Sequence, residues 1–562
     1  RYILAIFPEK KFTGIAFTDP NTGALQTNQI PFTKGYPKLI EIIARLPITE
    51  CVFPEDNEEL VQRIFQNSLI KNKKITLTPF SDWCFNHEIA KKSLCDHFGV
   101  SNLHGFGIED RPPAASATGA LLEYLKQMNK QPLRHVDKVS LYVDEDYVFV
   151  SPAAHLGLEI PTLIRTLDHT ITALGKRKFT RWFYQPLKDC ARIQRRQSAI
   201  QSLSKETSTL ADLKEKLRHI PDIEKNISRL SCGYMHPKDL MAIRNTLVQI
   251  PDLVESLSGV RKQNVLFELK DIKDLREILQ TRINENIPIT NFEGKVVCPG
   301  YNEELDSLRD LQENGRDFLK NYQMEESRRT GIGSLKIGFN KVFGYYIEVT
   351  KVHSKNVPQE YIRKQTLVNA ERYITPKLKE YEEKILNAQT RIAQIENEII
   401  RETQKEILDH SVQLHELCES IATIDAIYSL TCLSQSPNYV IPKIVNDPML
   451  DIKQGRHPVV EKTLTDNFIA NDTFLDGDSD HLVILTGPNM AGKSTYIRQT
   501  ALLTIMAQVG SAIPAESATI GIVDKIFTRI GAHDDISRGQ STFMVEMNET
   551  AVILNNLTDR SL

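Results

Sequence analysis

The segment Thr486-Gly487-Pro488-Asn489-Met490-Ala491-Gly492-Lys493-Ser494-Thr495 constrains this chain more than any other. It follows an unbroken apolar run, Leu482-Val483-Ile484-Leu485, which predicts a buried strand. It precedes residues 496–510, where Ile497, Ala501, Ile505 and Val509 recur at helical spacing. Strand, Gly-x-x-x-x-Gly-Lys-Ser and helix, in that order, make a phosphate-binding loop. Gly487 and Gly492 have no Cβ, so the backbone can wrap an anion closely. The loop N–H groups and the positive end of the helix then hold it. Lys493 is placed to reach the β and γ oxygens of a nucleotide, and the Ser494 hydroxyl to ligate Mg²⁺. ATP or ADP with Mg²⁺ is the ligand this pattern predicts.

A chain of 562 residues is too long for one core, and three to five domains are expected. The net charge of −3 excludes a chain that is basic throughout, so any nucleic-acid surface must be local. The eight cysteines show no C-x-x-C pair and no metal spacing, which predicts reduced thiols in a cytosolic setting. No apolar run is long enough to span a bilayer. The chain opens at Arg1-Tyr2-Ile3-Leu4-Ala5-Ile6, inside a strand pattern, and closes at Ser561-Leu562 after a helical one. Both ends are therefore expected to be cuts.

Residues 1–125 predict a small α/β domain, with strands at 2–7, 13–18 and 51–53 and helices at 87–97 and 116–128. The turn chemistry of Asp19-Pro20-Asn21-Thr22-Gly23 separates two of its strands. Asp19, Glu55 and Asp110 have no metal-binding spacing, so a connector or protein-docking role is expected. Residues 126–314 are mainly helical in pattern. A helix is predicted over 161–182, carrying Leu163, Leu167, Ile171, Leu174 and Phe179. Lys176, Arg177, Lys178 and Arg181 crowd its end and are expected to be solvated and dipole-stabilising. Further helices are predicted at 192–203, 209–218, 237–248 and 266–281.

Residues 315–375 differ. Stretches 335–339 and 344–349 alternate like strands, and eleven Lys/Arg face six Asp/Glu, a local charge of +5. Lys351, Lys355, Arg363 and Lys364, beside Tyr345, Tyr346 and Tyr361, are candidate phosphate contacts. From Pro376 a heptad seam runs through Leu378, Tyr381, Ile385, Ala388, Ile392, Ile395 and Ile399. If unbroken to Leu433, that helix would be roughly 85 Å long, a lever or coiled-coil arm. From Asn438 the nucleotide domain begins. It carries Gly455-Arg456-His457-Pro458 and Phe468-Ile469-Ala470-Asn471 before the loop, then a polar stretch at 534–542 and a helix at 543–556.

The form T-G-P-N-M-x-G-K-S-T at 486–495 resembles the loop of the MutS family of DNA mismatch repair proteins. Three other stretches resemble the same family: Phe343-Gly344-Tyr345-Tyr346-Ile347, residues 363–373 (RKQTLVNAERY) and Ser541-Thr542-Phe543-Met544-Val545-Glu546-Met547. Together the matches run from the first strand to the last residue. The resemblance implies a multidomain α/β and mainly helical chain: a connector (1–125), a helical core with levers (126–314 and 376–437), a small β clamp inserted into it (315–375) and an ABC-type ATPase domain (438–562). It implies that Gly487, Pro488, Asn489, Met490, Ala491, Gly492, Lys493, Ser494 and Thr495 bind ATP. Phe468 would stack on adenine beside Ile469. Gly539, Ser541 and Thr542 would form a loop that approaches the γ-phosphate held by a second subunit.

Two departures from the family pattern bear on function. The G-D-F-Y-E mismatch-reading motif is absent from this sequence, and Phe7-Pro8-Glu9 and Phe53-Pro54-Glu55 have the wrong flanks for it. The Mg²⁺-ligating Asp and catalytic Glu of the Walker B strand are expected beyond Leu562, so no catalytic residue is assigned and the chain as it stands is expected to be inactive. The resemblance implies a DNA-dependent ATPase that clamps duplex DNA as a homodimer and couples mismatch recognition to ATP-driven switching. It implies a downstream factor of the MutL type as partner, no membrane, and a bacterial cytoplasmic, nucleoid-associated location. A homologue that clamps branched DNA, or an ABC-type ATPase of chromosome maintenance, are the alternatives.

Overall fold

The computed structural model describes every residue except 1, 21–23, 68, 72, 104–105, 107, 130–132, 134–135, 137, 143–145, 232–235, 289, 291, 341, 343, 465–467, 489–490, 530–546, 548–549, 551–552 and 555–556. It is a mixed α/β, multidomain chain that divides into two compact units. One comprises residues 1–235, 246–272 and 410–562; the other comprises 236–245 and 273–409.

Alternation along the first strands sends successive side chains to opposite faces. Ile3 and Ala5 enter one core with Val52, while Leu4 and Ile6 enter another with Cys51 and Phe53. The sheet they build is covered on both sides. Its strands are β1 (Tyr2–Pro8), β2 (Phe12–Thr18), β3 (Ala24–Pro31), β4 (Ile48–Pro54), β5 (Thr76–Phe80) and β6 (Lys138–Leu141), in the order β5-β4-β1-β2-β3-β6. Helices His87–Phe98 and Pro112–Asn129 pack on one face, Pro37–Arg45 and Glu58–Phe65 on the other. The expected limit at 125 falls inside helix Pro112–Asn129, and β6 pairs with β3 beyond it.

The single helix predicted over 161–182 is two helices, Ile160–Leu167 and Ala173–Tyr184. Asp425 accounts for the break. From the buried face of helix Ser411–Ser434 its carboxylate accepts the Ile171 and Thr172 backbone N–H groups at 3.0 and 2.7 Å, and the Thr172 hydroxyl at 2.6 Å. Held this way, Thr172 caps the second helix through Gly175 N–H at 2.9 Å. Burial pushes the Asp425 carboxyl up to about 6. The basic cluster of the second helix is not the solvated end expected. Arg177 makes a two-pronged pair with Asp222 at 2.8 and 2.7 Å and reaches Glu224 at 2.6 Å. Lys178 pairs with Glu419, while Lys176 remains exposed. The helix predicted at 266–281 is a short 3-10 turn, Val265–Phe267, followed by helix Lys273–Arg282.

In the second unit, helices Glu303–Thr330 and Pro376–Asp409 lie side by side. The heptad positions Leu378, Ile385, Ala388, Ile392, Ile395 and Ile399 are buried, and Tyr381 stacks on Phe318 at 4.4 Å. Glu396 is buried among them because four donors satisfy it: Gly294, Val296 and Val297 N–H at 2.6, 3.0 and 3.3 Å, and Arg309 at 3.1 Å. The helix does not continue to Leu433. It ends at Asp409, and His410, at φ −101° and ψ 14°, starts Ser411–Ser434. Thirty-four residues give it a length of about 51 Å at ~1.5 Å per residue, not 85.

Between those helices, β7 (Phe149–Val150) having been passed in the first unit, come β8 (Lys336–Asn340), β9 (Gly344–Thr350), β10 (Ile362–Thr366) and β11 (Ala370–Ile374), in the order β10-β11-β9-β8. Ile347, Val349, Tyr361 and Tyr373 share a core with Tyr322 and Leu378 of the flanking helices. The expected limit at 315 lies inside helix Glu303–Thr330, so the sheet grows directly from its stalk.

The remainder carries β12 (Tyr439–Val440), β13 (Lys443–Val445), β14 (Met449–Gly455), β15 (Asn471–Asp476), β16 (Ile513–Pro514), β17 (Ser517–Gly521) and β18 (Lys525–Ile526). Four form the sheet β13-β17-β14-β15, and β18 pairs with β7. The run 482–485 is not the buried strand expected. It is irregular, and Leu482 and Ile484 are 79% and 82% exposed. An apolar strand of this kind needs ladder partners on its edges and cover on its faces, and no strand pairs with it among the described residues.

Candidate nucleotide site and basic β sheet

The loop expected to hold phosphate ends in helix Lys493–Val509, three residues longer at its start than the pattern suggested. Gly492 is its N-cap at φ +91°, a left-handed conformation that glycine adopts without a steric cost. No side chain caps this end, so the first-turn N–H groups face outward with the positive end of the helix dipole. Lys493 folds back over the loop, its Nζ donating to the carbonyls of Gly487 and of Pro488, the latter at 2.9 Å. Ser494 is exposed beside it and Thr495 is half-buried. Ala491 N–H donates to the Pro488 carbonyl at 3.3 Å, which tightens the turn. Asn489 and Met490 lie outside the described residues.

The sheet anchors this helix from below. The Tyr496 hydroxyl donates to the Asp472 carbonyl at 3.1 Å and accepts from Thr473 Oγ1 at 3.1 Å, tying the first helical turns to β15. Phe468 is partly buried, with its carbonyl accepting from Arg456 Nη2 at 3.2 Å; Ile469 is 83% exposed. His457 is buried, and its Nδ1 accepts from Val459 and Val460 N–H at 3.3 Å. Burial, helped by the charge of Arg498, pushes this imidazole down to about 4, so it stays neutral and keeps that acceptor. Arg456 and Tyr496 were not singled out from the sequence. The Gly-Arg-His-Pro tetrad was the available signal for the first, and the second had none. Gly539, Ser541 and Thr542 lie outside the described residues.

These residues fit a nucleotide phosphate chain with its metal. They offer an uncapped helix end, a lysine already turned over the loop and an exposed serine hydroxyl next to it. Among the described residues no group of three or more His, Cys, Asp or Glu comes together to hold a metal, and no helix is long and apolar enough to cross a membrane.

The basic sheet presents a different surface. Lys351, Lys355, Arg363 and Lys364 are all exposed. Arg363 also pairs with Glu371 at 3.2 Å. Arg372 is held by Glu348 at 2.9 Å and lies over the Tyr346 ring at 4.4 Å, and Arg329 is held by Glu326 and Glu360. Internal pairs thus engage Arg329, Arg363 and Arg372, while Lys351, Lys355 and Lys364 form no ion pair among the described residues and are exposed. Of the tyrosines beside them, Tyr361 is buried and donates to Glu326, and Tyr345 packs edge-on against Phe339.

Three family models match the chain: MutS domain II over residues 1–137, MutS domain III over 153–431 and MutS domain V over 483–562. It is 38% identical over 569 residues to a DNA mismatch repair protein MutS of Salinibacter ruber, an alignment covering 99% of this chain and 62% of that protein. Proteins of the same description from Alkaliphilus oremlandii and Methanococcoides burtonii are each 37% identical, over 100% of this chain and 65% of their own length. The chain spans less than two thirds of the length of these relatives. Fold and matches together define a multidomain α/β protein assembled from three successive MutS-type domains. The chain belongs to the MutS family.

Proposed function

We propose that this chain is the DNA-gripping and nucleotide-binding body of a mismatch repair ATPase, which clamps duplex DNA and couples mismatch recognition to ATP-driven conformational switching. The observation that carries the reading is the uncapped start of helix Lys493–Val509, with Gly492 at φ +91° and Lys493 turned over the loop. In this reading residues 438–562 are an ABC-type ATPase domain, with Gly487–Thr495 around the phosphates, Ser494 on Mg²⁺ and Phe468 with Ile469 at the base. Bound Mg²⁺ would neutralise charge on the phosphates. Residues 1–125 are a connector, 126–314 and 376–437 a core with levers, and 315–375 a clamp whose free lysines contact DNA phosphates. The working form is a homodimer in which Gly539, Ser541 and Thr542 serve the partner's nucleotide. Its partners are double-stranded DNA and a factor of the MutL type, in the cytoplasm. The names carried by the relatives support mismatch repair over the other DNA-clamping roles.

The test is Lys493→Ala in the full-length protein. Losing the loop's side-chain cation removes charge-assisted bonds of about 1.5–3 kcal/mol, a fall in ATP affinity of roughly 10- to 100-fold. Isothermal titration with ATP measures it. Equal affinities in variant and parent would sink the assignment.

A further inference from the structure

A buried cation outside both sites touches the far end of the loop helix. Arg196, on helix Cys190–Lys205, is buried, and no acid among the described residues counters its charge. Its Nη1 donates to the carbonyl of Val509, the last residue of the loop helix, at 2.8 Å. Its guanidinium stacks over Trp182 at 3.7 Å from the ring centroid. The negative end of that helix and the π-face of the indole are what offset the burial of the charge.

The same helix end is fixed twice more. Gly510, at φ +94°, closes the helix, and a Cβ there would come within 2.9 Å of Arg196 Cβ. Gln508 donates to the Leu187 and Val523 carbonyls at 2.8 and 2.9 Å and accepts from Val523 N–H at 3.0 Å. Trp182 belongs to helix Ala173–Tyr184, whose other end is the one held by Asp425 of Ser411–Ser434. That contact is close enough that a Cβ on Gly175 would lie 2.0 Å from the carboxylate. Helix Ala173–Tyr184 therefore meets the loop helix through Trp182 near its end and lies along Ser411–Ser434, from Asp425 at its start to Glu419 beside Lys178.

We propose that Arg196 is a positioning residue that makes helices Lys493–Val509 and Ala173–Tyr184 move as one body, so that nucleotide binding at the loop is felt at Asp425. A guanidinium bonded to one carbonyl and stacked on one ring fixes both distance and orientation, which a lysine or an apolar side chain of the same volume does not. The proposal rests on the nucleotide reading above and adds the route by which that site is coupled.

The test uses the full-length protein with Arg196→Met, Arg196→Lys and Trp182→Phe. ATP affinity is measured by calorimetry, and duplex affinity by fluorescence anisotropy with and without ATP. The coupling is the ratio of the two duplex dissociation constants. Arg196→Met is expected to keep ATP affinity and nucleotide-free duplex affinity within about threefold of the parent while the ratio moves roughly tenfold toward one. Arg196→Lys is expected to recover part of the ratio. A common fall in both affinities with the ratio intact marks a merely structural role and overturns the proposal. If near-UV circular dichroism shows Arg196→Met unfolded, Trp182→Phe decides: a shift of about threefold is expected, and an unchanged ratio overturns it. A parent that binds no ATP fails the proposed function instead; one that binds ATP with a ratio of one fails this proposal alone.

Discussion

Two basic clusters in this chain look alike as sequence and differ in the folded protein. Lys176, Arg177, Lys178 and Arg181 lie within six residues of one helix; Lys351, Lys355, Arg363 and Lys364 lie within fourteen of a small β sheet. In the first, Arg177 and Lys178 are bound by Asp222, Glu224 and Glu419, acids that arrive from distant positions in the chain. In the second, arginines are paired within the sheet and its stalk, and three lysines stay in water. The lesson is that a run of cations specifies a field only after its acids have been placed. An internal cluster should register in stability, and a free one in the salt dependence of binding.

Arg177→Ala makes the largest break between them. It strands two acids that are each less than a quarter exposed. With Arg177 itself partly in water, the expected cost is about 2 kcal/mol of unfolding free energy, with duplex affinity unchanged at a temperature where the variant is folded. Urea unfolding and anisotropy measure the two. A normal unfolding midpoint with weakened DNA binding would reverse the roles of the clusters.

Asp425 sharpens the same contrast through pH. Its folded pKa of about 6 lies above the unfolded value near 3.9, so the folded state holds the proton more tightly. Its contribution is therefore most favourable below pH ~4 and is lost as pH rises through about 6. His155 and His457, both pushed down to about 4 by burial, act in the opposite sense, adding stability as pH rises toward their unfolded value. Asp425→Asn removes only the first of these. The difference in stability, variant minus parent, should climb by about 2 kcal/mol between pH 4 and pH 6. A difference that is flat over that range would show that the carboxyl titrates normally.

The local features of both sites were legible. Helix Lys493–Val509 follows from a glycine cap and apolar spacing, and β8 and β9 follow from alternation, because each depends on neighbours in sequence. What was not legible depends on residues far away. The break at 168–172 is made by Asp425, some 250 positions on. The end of the long helix at Asp409 has no proline or glycine to announce it. The run 482–485 has the composition of a strand, but composition does not supply the strands it would pair with. Tyr361 sits beside the basic residues in sequence, where alternation does not reveal its place, yet it is needed in the core under its own sheet.

The smallest expected effect is the one that speaks most directly to the second cluster. Replacing Arg363 and Lys364 together with glutamine removes two exposed charges whose loss the fold hardly feels, since only Arg363 has an ion-pair partner and its own side chain lies mostly in water. Stability should change by less than about 0.5 kcal/mol. If the two side chains sit on DNA phosphates, duplex affinity should fall by roughly tenfold, about 1.4 kcal/mol, for matched and mismatched duplexes alike, because phosphates carry no sequence. The slope of log affinity against log salt should become shallower by about one to two, one counterion contact for each charge removed. A loss confined to mismatched DNA, with the slope unchanged, would mean that these residues read bases or shape. A slope unchanged with affinity intact would place the phosphate contacts on Lys351 and Lys355, and the corresponding double variant would then have to show the loss.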